Sequence, residues 1–164
     1  MIKAKNLRIG DLVNVNYYNI IPKGTVCIVT EIISARALDD KKVLVTIKPV
    51  NCIAGKEWKV WCRSIGGIPL DSHVLEKNGF NKIIPKKKFT KSLGYTSKFL
   101  KRCLVIELAQ NGYKVSLKHE GMSDKITIRH IQYVHELQHI LLDFGMDADL
   151  KIQDERKDME DNHE

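Results

Sequence analysis

Residues 103–119 read CLVIELAQNGYKVSLKH. The apolar, partly β-branched run Cys103–Ala109 meets Gln110-Asn111-Gly112. An Asn-Gly pair between two such runs is a strong short-range signal for a β-hairpin. In the second arm Tyr113, Val115 and Leu117 alternate with Lys114, Ser116 and Lys118. That period of two places the first set inward and the second outward on a half-buried strand. Beyond it, EGMSD (120–124) is a turn, KITI (125–128) a third strand, and HIQYVHELQHILLDFG (130–145) a helix that Gly145 can end. A small antiparallel sheet with a C-terminal amphipathic helix follows from this stretch.

Upstream, residues 81–101 are polar and basic, and no regular element is assigned to them. Residues 66–80, GGIPLDSHVLEKNGF, break a strand at Gly66-Gly67 and Pro69 and start a short helix. Asp71 or Ser72 can cap that helix by accepting a backbone N–H. Gly79 stands where a left-handed residue would end it, with Phe80 folding back. Residues 1–65 carry short β-rich runs, TVCIVTEII, KKVLVTIKPV and EWKVWCRSI, separated by turn residues. Strands at this spacing suggest a small barrel or curled sheet. The opening Ile9-Gly10-Asp11-x-Val13 followed by KGTVCIVTEI resembles the first strands of an SH3-like barrel, a generic binder of nucleic acid, peptides or proteins. The expected class is α+β. An SH3-like β-barrel occupies 1–66, an α+β domain 67–145, and an acidic, disordered tail 146–164.

Charge is divided along the chain. Residues 1–102 carry a net +13 and residues 103–164 a net −6. The stretch 77–102 holds nine bases and no acid. Lysines neutralise phosphates and release counterions, and aromatic rings stack on unpaired bases. The candidate nucleic-acid-binding residues are Lys82, Lys86, Lys87, Lys88, Lys91, Lys98, Lys101 and Arg102, with Phe89 and Tyr95 interleaved. Nucleic acid is the first expected partner and an acidic protein surface the second. The tail, with eight acids against three bases, could fold back on the basic stretch.

Several classes are disfavoured. No apolar run approaches the roughly 18–20 residues of a membrane span, and MIKAKNLRIGDLV lacks the apolar core of a secretory signal. A membrane partner is not expected, and the host cytoplasm is the expected location. Cys27, Cys52, Cys62 and Cys103 form no C-x-x-C pair and read as reduced thiols in strand cores. No Gly-rich phosphate loop or G-x-S-x-G elbow is present, and nothing visible activates Cys52 or Cys62 as a nucleophile. Trp58 and Trp61 straddle one strand, at the core or its rim.

One motif does suggest chemistry. His135-Glu136-Leu137-Gln138-His139 fits H-E-x-x-H, in which two imidazoles one helical turn apart hold Zn²⁺ and the Glu activates its water. Yet Leu142 stands where the extended motif has Gly, and Glu155 and Glu160 lie in a polar tail that supports no rigid third ligand. At about 100° per residue, Val134, Leu137, Ile140 and Leu141 form an apolar arc. His135, Glu136 and His139 fall opposite, facing water or a groove. No cofactor is therefore the first expectation, and an ordinary packing helix is favoured. The alternative is a zinc-dependent metallopeptidase with His135 and His139 as ligands and Glu136 as the catalytic base.

Two stretches carry a family resemblance. IPLDSHVLEKNGF (68–80) and IRHIQYVHELQHILLDFG (128–145), together with I-G-D-x-V, resemble an uncharacterised family of small phage and prophage-like proteins. That family shares I-P-L-x-x-x-x-L-x-x-x-G-F and I-x-Y-V-H-x-L-Q. The resemblance implies a phage or mobile-element origin and an accessory or binding role with no established ligand. It also implies that His135, Leu137 and Gln138 belong to the shared motif, whereas the positions of Glu136 and His139 vary. SARALDDKK (34–42) and the acidic tail are where this chain departs from the pattern.

Overall fold

The computed structural model describes residues 2–33, 43–50, 56–85, 87–97 and 100–152, the side chains of 96, 97 and 100 excepted. The chain divides into two compact units, Met1–Ile68 and Pro69–Glu164.

The first unit is one antiparallel sheet. Its strands are β1 (Leu12–Val15), β2 (Val26–Ile33), β3 (Leu44–Pro49), β4 (Trp58–Trp61) and β5 (Ile65–Gly67). Their spatial order is β4-β3-β2-β1-β5. The alternation legible in the sequence sets the buried face: Val13, Val15, Cys27, Val29, Val45, Ile47, Val60 and Ile65 form one apolar core. Burial pushes the Cys27 thiol up to about 12, which makes it an inert packing group.

The expectation of an α+β chain with a closed SH3-like barrel is corrected here. Among the described residues the chain is mostly β, strand far outweighing helix, and neither sheet closes. In the first sheet β4 and β5 are opposite edges, each only three or four residues long. The turn between them, Cys62–Ser64, is a single 3₁₀ turn. Among the described residues no ladder joins the two edges.

The second unit begins with α1 (Ser72–Lys77), where Asp71 caps the helix by accepting from the Val74 N–H at 2.8 Å. Then come β6 (Asn81–Ile84), β7 (Lys88–Ser97), β8 (Leu100–Ala109), β9 (Gly112–His119), β10 (Lys125–Ile131) and α2 (Val134–Asp143). The strands form a simple antiparallel meander, β10-β9-β8-β7-β6. Five strands stand where three were expected, because the basic stretch left without structure supplies β6 and β7 and 100–102 extend β8. The density of lysines hid the apolar period there: Phe89 pairs with Ile106, which pairs with Val115, and all three are buried.

The expected helix at 130–145 is shorter. Ile131 still belongs to β10, Pro69 bridges Tyr133, and the Leu70 N–H donates to the Gln132 carbonyl at 2.9 Å. Strand pairing thus holds the first residues of the predicted helix in extended form. After α2 the chain turns back on its own unit. Gln138 donates to the Ala148 carbonyl at 3.1 Å, and Asn78 and Lys151 exchange two hydrogen bonds of 2.9 and 2.8 Å. Leu150 is buried there. Cys52, SARALDDKK and residues 153–164 lie outside the described residues. Among the described residues no helix is long and apolar enough to cross a membrane.

Candidate nucleic-acid interface

The HELQH residues lie on α2, but not as its phase alone suggested. His135 and His139 are 3% and 5% exposed, and Gln138 is buried with them. Seven of the ten α2 residues are buried, so the helix packs on more than its apolar arc. The His135 ring stacks on Tyr133 at 5.7 Å and meets His139 edge-on at 5.9 Å. Glu136 faces backward along the chain. One of its carboxylate oxygens accepts from the Gln132 and Tyr133 backbone N–H groups at 2.7 and 3.1 Å, and the other lies 3.5 Å from the Arg129 guanidinium. Glu136 occupies the third position of the helix and satisfies N–H groups at its start. A carboxylate held in this way is not aimed at a water on the histidines. Among the described residues no group of three His, Cys, Asp or Glu is placed to hold a metal ion. The expected result for Glu136→Ala is a loss of about 1 kcal/mol of stability, unchanged by added zinc. Chemical denaturation checks it, and a zinc-dependent difference would restore the peptidase reading.

The basic stretch is not one patch. Lys86 and Lys98 lie outside the described residues. Lys82 pairs with Glu76 at 3.0 Å. Lys91 donates to the Asn78 carbonyl at 2.6 Å and lies over the Phe80 ring at 5.0 Å, so it closes the end of α1. Phe89 is fully buried and serves the core, which removes it as a stacking surface. Tyr95 is 68% exposed, Lys87 is exposed in the β6–β7 turn, and Arg102 is half-buried on β8.

Register assembles a different set. Residues directly paired across antiparallel strands share a face. Lys88 pairs with Glu107, and Glu107 with Lys114. Ser92 pairs with Cys103, Cys103 with Lys118, and Lys118 with Lys125. Both rows lie opposite the Phe89–Ile106–Val115 row that forms the core. Lys101, two residues before Cys103, falls on the same face by alternation. This face therefore gathers Lys88, Lys101, Lys114, Lys118 and Lys125 from four strands. Glu107 and Glu120 are the carboxylates among them. Lys125 hydrogen-bonds Glu107 and, with Lys88 beside it at 3.6 Å, holds that carboxyl below the usual range. Glu120 lies 3.7 Å from Lys101. A cavity of about 350 Å³ opens on this face, lined by Lys88, Thr90, Lys118 and Lys125 among others. The sequence showed Lys114 and Lys118 pointing outward. Nothing in it showed that they meet Lys88, because that depends on pairing across three strands.

No protein-family model, curated protein or solved structure matches the chain.

Proposed function

We propose that this chain is a non-enzymatic accessory protein of a phage or mobile element. It acts in the host cytoplasm and holds nucleic acid by its phosphates on the lysine face of the second sheet. The observation that carries the reading is the convergence of five lysines from β7, β8, β9 and β10 on one side of one sheet. Thr90, Ser92 and Thr127 fall on the same side and can donate to phosphate oxygens. Such a face reads charge and backbone, not base sequence. The phage origin rests on the resemblance of residues 68–80 and 128–145.

The test is a salt titration of nucleic-acid binding by fluorescence anisotropy. Each phosphate contact contributes about 0.7–0.9 to the slope of log affinity against log salt. Replacing Lys114, Lys118 and Lys125 together with Ala is expected to flatten that slope by about 2 and to weaken all sequences alike. Lys82→Ala and Lys91→Ala, which pair with Phe89 and Leu104 and so lie on the opposite side of the sheet, are expected to leave it nearly unchanged. If the wild-type chain shows no binding at low salt, nucleic acid is not the ligand, and an acidic protein surface becomes the partner to test.

A further inference from the structure

The first unit carries a second concave surface, built by one loop and one turn. After β1 the chain runs Asn16-Tyr17-Tyr18-Asn19-Ile20. The Asn16 and Tyr17 N–H groups both donate to the Ser64 carbonyl, at 2.9 and 3.3 Å. These bonds fix the loop against the 3₁₀ turn between β4 and β5. Tyr18 packs against the core and its hydroxyl reaches the Lys59 carbonyl at 3.4 Å. Tyr17, Ile20 and Trp61 do the opposite. They are 77%, 68% and 40% exposed although each is large and apolar. Trp61 ends β4, whose inward positions are Trp58 and Val60, so the strand's own alternation turns Trp61 outward. Together with Arg63 these residues line a cavity of about 430 Å³ that has no carboxylate in its wall. That volume lies within the range of small-ligand pockets, about 300–1,000 Å³.

Arg63 is the charged residue of the cavity wall, and the charge balance of the whole unit has the same sign. The described residues of the first unit hold eight Lys and Arg against three acids. Two of those acids are engaged inside the fold: Asp11 accepts from the Arg8 N–H at 2.8 Å, and Glu31 accepts from the Thr46 hydroxyl at 2.8 Å. An occupant with flat π-faces and negative charge satisfies both the rings and the cations. A nucleotide of a single strand has both. In a duplex the bases are already stacked on one another and present no free face.

We infer that the Tyr17–Trp61–Arg63 pocket takes an unpaired nucleobase, so that the nucleic acid this protein prefers is single-stranded. Tyr17 and Trp61 supply the stacking faces, and Arg63 the cation beside the adjoining phosphate. The inference rests on the nucleic-acid reading above and specifies its substrate class.

The experiment uses the full chain with a labelled oligothymidylate and a labelled duplex of the same length, both read by anisotropy. The wild type is expected to bind the single strand more tightly. Trp61→Ala and Tyr17→Ala are each expected to weaken single-strand binding about five-fold or more, with duplex binding unchanged and Trp61→Phe largely retaining it. Both side chains are surface groups, and an unchanged circular dichroism spectrum verifies that each variant is folded. Equal wild-type affinity for the two ligands, or equal losses on both in Trp61→Ala, overturns the stacking pocket and leaves the lysine-face reading standing. Absence of binding to either ligand overturns both.

Discussion

Phe89→Ala will destabilise the second unit by about 3–5 kcal/mol, the usual cost of emptying a fully buried aromatic site. Phe89 pairs with Ile106 at the centre of the sheet and has no exposed surface. Its removal leaves a void bordered by the Ile106–Val115 row, and a close-packed sheet held by three hydrogen-bonded strands collapses little to fill it. Tyr95 is the comparison. It lies on the same strand, was expected from sequence to share the same role, and is 68% exposed. Tyr95→Ala will change stability by less than about 0.5 kcal/mol. Urea denaturation followed by far-ultraviolet circular dichroism measures both. Equal losses in the two variants would show that β7 is not registered as described.

The second large effect is at Gly112. Its φ is +104°, and a Cβ there would stand 2.3 Å from the Ile131 carbonyl oxygen and 2.9 Å from Cγ of Gln132. The nearest atom is backbone, in the segment that passes from β10 to α2, and it cannot swing aside as a side chain would. Gly112→Ala therefore adds a backbone clash to the conformational cost of a positive φ, and about 3 kcal/mol or more is expected in all. Gly121 separates the two terms. It has φ +83° but nothing within 4 Å of its Cβ position. Gly121→Ala should cost only the conformational part, about 1–2 kcal/mol. If the two variants melt alike, the close approach of Ile131 to the hairpin is wrong.

Gly112 also illustrates what a sequence can show. The Asn-Gly signal located the turn, and Ala109 does pair with Gly112 across it. It did not show that a carbonyl from β10 presses on the same glycine, since Ile131 reaches it only through the β9–β10 ladder. HELQH is similar. Its apolar arc, Val134, Leu137, Ile140 and Leu141, is buried as the helical period requires. The burial of His135, Gln138 and His139 came from outside the helix period, where Tyr133 stacks on His135 and residues 146–152 return along the unit. The Glu136 carboxylate turned back because strand pairing of Pro69 with Tyr133 starts the helix at Val134.

The sequence by itself determined the local periods: which β-rich runs outside 81–101 are strands, where Asp71 caps α1, and which side chains alternate outward along 113–119. These follow from sterics and burial within a few residues. Tertiary structure alone decided that β4 and β5 remain separate edges, that the basic stretch becomes β6 and β7, and that Lys88, Lys101, Lys114, Lys118 and Lys125 share a face. Each of those outcomes depends on hydrogen bonds between distant segments. A one-residue change of register would send every lysine on a strand to the opposite side without altering its local pattern.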